Sequence, residues 1–186
     1  GITVTPPANW KSIPAPKELD PRYAQEESWL MLTRFKAPNP DSENCEIILD
    51  VLVWKQQSDL DQAVKAYEER RNRPGSVFKI EKTQAWKVAG RKAVHLQSER
   101  SGGFYENAFL VPGDSHTYIL SFVSGEKYGR RKADSFRDMV KGVALLDDKQ
   151  IARLSANSKT VGSGLPPGWL GLRTPNYDIQ YDPDEG

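Results

Sequence analysis

The sequence predicts an α+β fold: an antiparallel β-sheet flanked by helices, an α/β/α sandwich. Three observations predict it. A helical stripe follows Ser58 and stops at Pro74-Gly75. Four strand-like runs then follow between Phe78 and Val123, joined by short turns. A second helical stripe runs from about Lys127 to Val143.

Ile2 to Thr5 alternates weakly, as a short strand would, before Pro6 and Pro7 break it and Trp10 follows. Pro14, Pro16 and Pro21 keep the next stretch extended or looped. An apolar strand pattern resumes from Trp29 to Phe35, and Pro38, Asn39, Pro40 and Asp41 make a turn. Cys45 to Trp54 is the strongest strand. Cys45, Ile47, Leu49, Val51 and Val53 share one face, and Ile48, Leu52 and Trp54 share the other with Glu46 and Asp50. Two largely apolar faces imply an interior strand covered on both sides.

Ser58 is expected to open the first helix, with Asp61 three residues later as a short capping-box partner. Leu60, Ala63, Val64 and Tyr67 form its apolar stripe. Arg70, Arg71 and Arg73 crowd its end, where the helix dipole favours cations. In the ladder, Phe78, Ile80, Trp86 and Val88 alternate with Lys79, Glu81 and Lys87, and Ala89-Gly90 turns the chain. Val94 and Leu96 oppose His95, Gln97 and Glu99, which places His95 toward solvent or a helix edge. Phe104 to Val111 and His116 to Val123 complete the ladder, across turns at Ser101-Gly102-Gly103 and Pro112-Gly113-Asp114. Ala133, Phe136, Met139, Val140 and Val143 form the buried stripe of the second helix.

Periodicity then fades, which divides the chain into a domain over 1–146, a linker over 147–164 and a C-terminal arm, or the start of a second domain, over 165–186. The arm carries Pro166-Pro167-Gly168-Trp169, an echo of Pro6-Pro7-Ala8-Asn9-Trp10, and then Tyr177, Ile179 and Tyr181 in alternation. Gly1 stands where a Met is usual, as a cleavage scar or as the first residue after a removed leader would; an extracytoplasmic site (periplasmic, envelope or secreted) is the expectation.

Early Pro-Pro-Ala-Asn-Trp, the Cys45–Trp54 strand, the helix after Ser58, Gly90-Arg91-Lys92-Ala93-Val94, and Tyr118-Ile119-Leu120 running on to Phe136–Val143 come in a telling order. In that order the chain resembles the PsbP-like superfamily over about residues 2–146. That group includes photosystem II extrinsic proteins, a Ran-binding import factor and bacterial envelope proteins. The resemblance implies an antiparallel sheet between helices, and a binding module more often than an enzyme. It transfers no functional residue.

Composition narrows the function. A net charge of +1 lacks the footprint of a nucleic-acid binder. No apolar run approaches the roughly 20 residues that cross a bilayer. Cys45, the single cysteine, forms no internal disulfide and reads as a small core residue. Together with His95 and His116 it lacks the ligand spacing of a zinc site. Gly162-Ser163-Gly164 is too short for a nucleophile elbow, and Asp182, Asp184 and Glu185 miss the spacing of a calcium loop. No metal, cofactor or catalytic residue is assigned.

The reading is a non-enzymatic interaction module of a bacterial envelope or secreted protein. Its partner is another protein or a further domain of the same chain. Two alternatives stay open. One is a small-ligand binder, with a groove between sheet and helix lined by the second faces of the Phe104 and His116 strands. The other is a hydrolase or metal enzyme built on His95, His116 and scattered carboxylates. The candidate contacts are Trp169, Tyr177 and Tyr181 in the arm, and Arg130 and Arg131 in the Arg130-Arg131-Lys132 cluster. That cluster is placed near a helix N-terminus, where the dipole disfavours cations and leaves a partner contact as a reason for it.

Overall fold

A computed structural model describes residues 1–7, 9–13, 29–54, 59–147 and 149–150. Within them, seven strands form one antiparallel sheet in the order β2-β3-β4-β8-β7-β6-β5. The strands are β2 (Lys11–Ile13), β3 (Trp29–Lys36), β4 (Ile48–Trp54), β5 (Phe78–Val88), β6 (Arg91–Arg100), β7 (Phe104–Pro112) and β8 (Thr117–Gly125). A small second sheet pairs β1 (Ile2–Thr3) with β9 (Ala144–Leu145). The predicted α+β class is therefore the observed one.

The helix α1 (Leu60–Asn72) covers one face of the large sheet. Its Ala63 and Tyr67 join Trp29, Trp54, Leu96, Ala108, Leu110 and Ile119 of the sheet in one buried cluster. Phe136 and Val140 of the opposite layer pack on Leu49, Val51, Phe109, Leu120 and Phe122 of the other face. Each such side chain contributes about 1.5–3 kcal/mol on burial. The two-faced β4 is interior as predicted, between β3 and β8.

Four local expectations are corrected. The N-cap of α1 is Asp59, whose carboxylate accepts from Gln62 N at 3.0 Å. Its extended backbone (φ −141°, ψ 111°) suits the cap position, so the helix starts one residue later than a Ser58 cap would place it. Ser58 itself lies outside the described residues. The second helix is two: α2 (Glu126–Arg131) and α3 (Ala133–Lys141), with Lys132 non-helical at φ −101°, ψ 11°. Val143 is buried but follows the helix.

The third correction concerns β5. A bulge between Ile80 and Lys82 shifts its register against β6, so Ile80 pairs with Ser98 whereas Trp86 pairs with Ala93. One extra residue moves the later side chains to the other face. The single stripe read from Phe78 to Val88 therefore serves both cores: Ile80 packs under α1, Trp86 and Val88 on the α3 side. Fourth, Cys45 precedes β4 and is only half-buried, so it is not a core residue.

The start of α2 is capped from afar. Asp41 Oδ2 accepts from Gly125 N at 2.5 Å, and Glu43 accepts from Lys127 N at 3.2 Å. Asp41 Oδ1 also takes Glu43 N at 2.8 Å and Cys45 N at 3.0 Å, closing its own turn. A Cβ on Gly125 would crowd Glu43 Oε2 and stand 2.8 Å from Asp41 Oδ2, so the missing side chain lets both carboxylates reach the start of the helix.

Candidate functional site

Alternation along β7 sends neighbouring polar residues to opposite faces. Glu106 faces α1, while Tyr105 and Asn107 face α2; register and contacts fix each.

On the α1 side, Arg71 Nη2 donates to Glu106 Oε1 and to Tyr67 Oη, both at 2.9 Å. Ser121 Oγ donates to the same Glu106 oxygen at 2.5 Å. Glu106 is 2% exposed, so this is a buried ion pair. Burial pushes the Tyr67 phenol well above its ordinary value. Burial works against the Arg71 cation, but Tyr67 and Glu106 outweigh it and hold the proton on. The guanidinium also lies 3.6 Å from the Phe78 ring centroid. The dipole argument for Arg70-Arg71-Arg73 thus misses the role of Arg71, which reaches into the sheet.

On the other face, His95 is fully buried rather than solvent-facing. Its ring stacks on Phe109 at 4.2 Å, nearly parallel. His95 Nε2 meets Asn107 Oδ1 at 3.1 Å, which also accepts from Gln97 Nε2 at 3.2 Å. Asn107 Nδ2 donates to Gly129 O at 3.3 Å, tying β7 to α2. Since Asn107 Oδ1 accepts, Nε2 carries the imidazole proton and Nδ1 is bare, buried and unpartnered among the described residues. Burial lowers the His95 pKa to about 4, partly offset by the Asn107 bond and reinforced by Arg137 and Lys82.

A third cluster lies at the rim. Arg130 donates to Glu81 Oε2 at 2.5 Å and Oε1 at 2.8 Å, and to Glu126 at 3.0 Å. Its guanidinium stands 4.4 Å from the Tyr105 ring centroid. Tyr105 Oη donates to Glu81 Oε2 at 3.0 Å. The Arg130 hydrogen bonds hold the Glu81 carboxyl below its ordinary range, and burial pushes the Tyr105 phenol up to about 12.

Of the sequence-derived contacts, Arg130 is this clamp and Arg131 is exposed beside it. Both fall in the last turn of α2, since the helix breaks at Lys132. Their placement at a helix start is thereby corrected, and the dipole no longer opposes them. Trp169, Tyr177 and Tyr181 lie outside the described residues, as do Gly162-Ser163-Gly164 and the acidic end. Burial, with Asp41 and Glu43 nearby, raises the Cys45 thiol pKa, which keeps it protonated. The described residues bring together no metal-holding group of three His, Cys, Asp or Glu. Tyr105 to Val111, and Thr117 to Phe122, are buried throughout, so the residues expected to line a groove are packed core. A shallow recess opens instead at the sheet edge, by Ala85, Trp86 and Lys87.

The overall fold is similar to that of several solved structures. The solution structure of cyanobacterial PsbP (CyanoP) from Synechocystis sp. PCC 6803 superposes with a TM-score of 0.51 at 7% identity, over 78% of this chain and 87% of that one. The fold is PsbP-like. LpqN, involved in cell envelope biogenesis of Mycobacterium tuberculosis, matches with a TM-score of 0.50 at 14% identity, over 78% of this chain and 83% of that one. PA94 from Pseudomonas aeruginosa, a protein of unknown function described as a putative regulator, gives 0.50 at 15% identity, over 75% and 99%. At such identities the PsbP-like likeness is one of fold. No family model and no curated protein matches the sequence. No helix among the described residues is long and apolar enough to cross a membrane.

Proposed function

We propose that this chain is a non-enzymatic protein-interaction module acting outside the cytoplasm. The observation that carries the reading is where its polar chemistry is used. His95 and Glu106, the residues best equipped for proton transfer or ion binding, are 0% and 2% exposed and bonded to neighbours that fix the helices. A general acid or base must come within about 3 Å of substrate; these two meet only protein. The structural likeness to an envelope-biogenesis protein and to PsbP supports an extracytoplasmic setting.

On this reading residues 1–146 are the folded unit, 147–164 the linker and 165–186 the arm that engages a partner. Trp169, Tyr177 and Tyr181 supply aromatic anchors, and Arg131 beside the Arg130 clamp supplies a second contact. The test places a photo-crosslinking residue at Trp169, Tyr181 or Arg131 in the full chain, expressed in its native host. Discrete adducts in the extracytoplasmic fraction are expected. Absence of adducts, together with turnover of a generic hydrolase substrate panel, would overturn the proposal.

A further inference from the structure

We infer that the open end of the sheet's α1 face is a second contact surface, built around Arg100 to receive an acidic peptide segment of a partner protein. The inference rests on the reading of the chain as an interaction module and adds the chemistry of what it binds. Phe78, Arg100 and Phe104 are register partners across β5, β6 and β7, so they form one row on one face. Helix α1 ends at Asn72. The Arg71 guanidinium stands 3.6 Å from the Phe78 ring centroid, and the Arg100 guanidinium 5.3 Å from it and 5.5 Å from that of Phe104.

The two cations differ in how their charge is answered. Arg71 has Glu106 at 2.9 Å. Arg100 is exposed, and no ion pair joins it to a carboxylate among the described residues. Two aromatic rings hold the guanidinium without using its hydrogen-bond donors. The planar fork is thus pre-positioned and fits a carboxylate bidentately. Beside the row, Val77 is 48% exposed, with its carbonyl accepting from Ser101 N at 2.8 Å. An uncompensated cation between half-buried rings, with an exposed aliphatic neighbour, is complementary to a short segment that mixes carboxylates with apolar residues.

The test uses the full, isotope-labelled chain and follows the Arg100 side-chain Nε–Hε signal by NMR during titration with a capped hexaglutamate peptide. Saturable shifts are expected at Arg100 and the amides of Phe78 and Ser101–Phe104. Arg100→Gln should weaken binding roughly fivefold, as loss of one exposed charge pair does. Arg100→Lys should fall between, since it keeps charge without the fork, and Lys92→Gln, exposed at the opposite end of β6, should leave the titration unchanged. Wild-type binding by Arg100→Gln would overturn the proposal, as would equal shifts with inorganic phosphate, which would mark a simple anion site. Crosslinks at Trp169 with an unaffected Arg100→Gln titration would sink this surface alone. No crosslinks and turnover of the substrate panel, with an Arg100-dependent titration, would sink the wider reading and leave this surface standing.

Discussion

Acidification should destabilise this protein through a term that can be isolated at His95. In the folded state its imidazole is buried against Phe109 with a bare Nδ1, and its pKa is lowered from 6.5 to about 4. The unfolded chain therefore binds the more protons between those values, so stability falls as pH falls through that window. The contribution is complete above pH 6.5 and gone below about 4. At about 1.36 kcal/mol per pH unit the whole loss is on the order of 3 kcal/mol, with roughly 2 kcal/mol already lost at pH 5. That is a large share of the 5–15 kcal/mol that holds a typical domain together. Urea unfolding from pH 7 to 4, on the wild type and on His95→Phe, isolates the term. Phe keeps the stack on Phe109, and Asn107 keeps its bond from Gln97. Carboxylates such as Glu81 titrate alike in both proteins, so the difference between the two curves belongs to His95. Parallel curves, or a folded His95 that titrates near 6.5 by NMR, would refute the reasoning.

Three further outcomes follow from the packing. Glu106→Leu leaves the Arg71 cation uncompensated and should cost about 3–5 kcal/mol, whereas Arg71→Met with Glu106→Leu should recover most of it, as read by a double-mutant denaturation cycle. Gly129→Ala should cost about 1–3 kcal/mol in chemical denaturation, because its Cβ would stand 2.9 Å from both Tyr105 Cβ and Ser124 Oγ. Ala89 and Gly90 form the two-residue β5–β6 turn, both at positive φ (49° and 78°). Ala89→Asn suits that turn and should stabilise by roughly 0.5–1 kcal/mol, seen as a raised Tm.

Much of the fold was legible because hydrophobic period and turn chemistry are local. The β4 run reads as interior since both its faces are apolar, and the turns at Ala89-Gly90 and Ser101-Gly102-Gly103 fall where glycines allow positive φ. What failed to show depends on partners distant in sequence. The bulge at Glu81 leaves no mark in an alternating run, yet it moves Trp86 to the other face. His95 shares parity with Gln97 and Glu99, so it reads as exposed. Glu99 does lie at the solvated rim, but His95 sits four residues further along, under Phe109 and Asn107. The break at Lys132 is equally hidden, because Phe136 and Val140 keep helical spacing after it. The Arg71–Glu106 pair spans 35 residues, and the sequence offered only an excess of arginines at a helix end. The Arg100 row was legible only once the β5–β6–β7 register was known.

The polar residues of β7 explain why an antiparallel sandwich holds so many of them inside. Apolar contact is non-directional, and a helix on a smooth sheet face could slide by a turn at little cost. Glu106 fixes α1 through Arg71, Asn107 fixes α2 through Gly129, and Tyr105 fixes the bulge of β5 and Arg130 of α2 through Glu81. Consecutive residues of one central strand thus set the positions of both helical layers. A buried ion pair adds little net stability over an apolar pair, but it admits one register where apolar contact admits several. With these groups committed to alignment, the charges proposed for recognition stand at the helix ends: Arg131 in the last turn of α2, and Arg100 beyond the end of α1. Both lie on rigid elements at the rim, where a partner can reach them without disturbing the core.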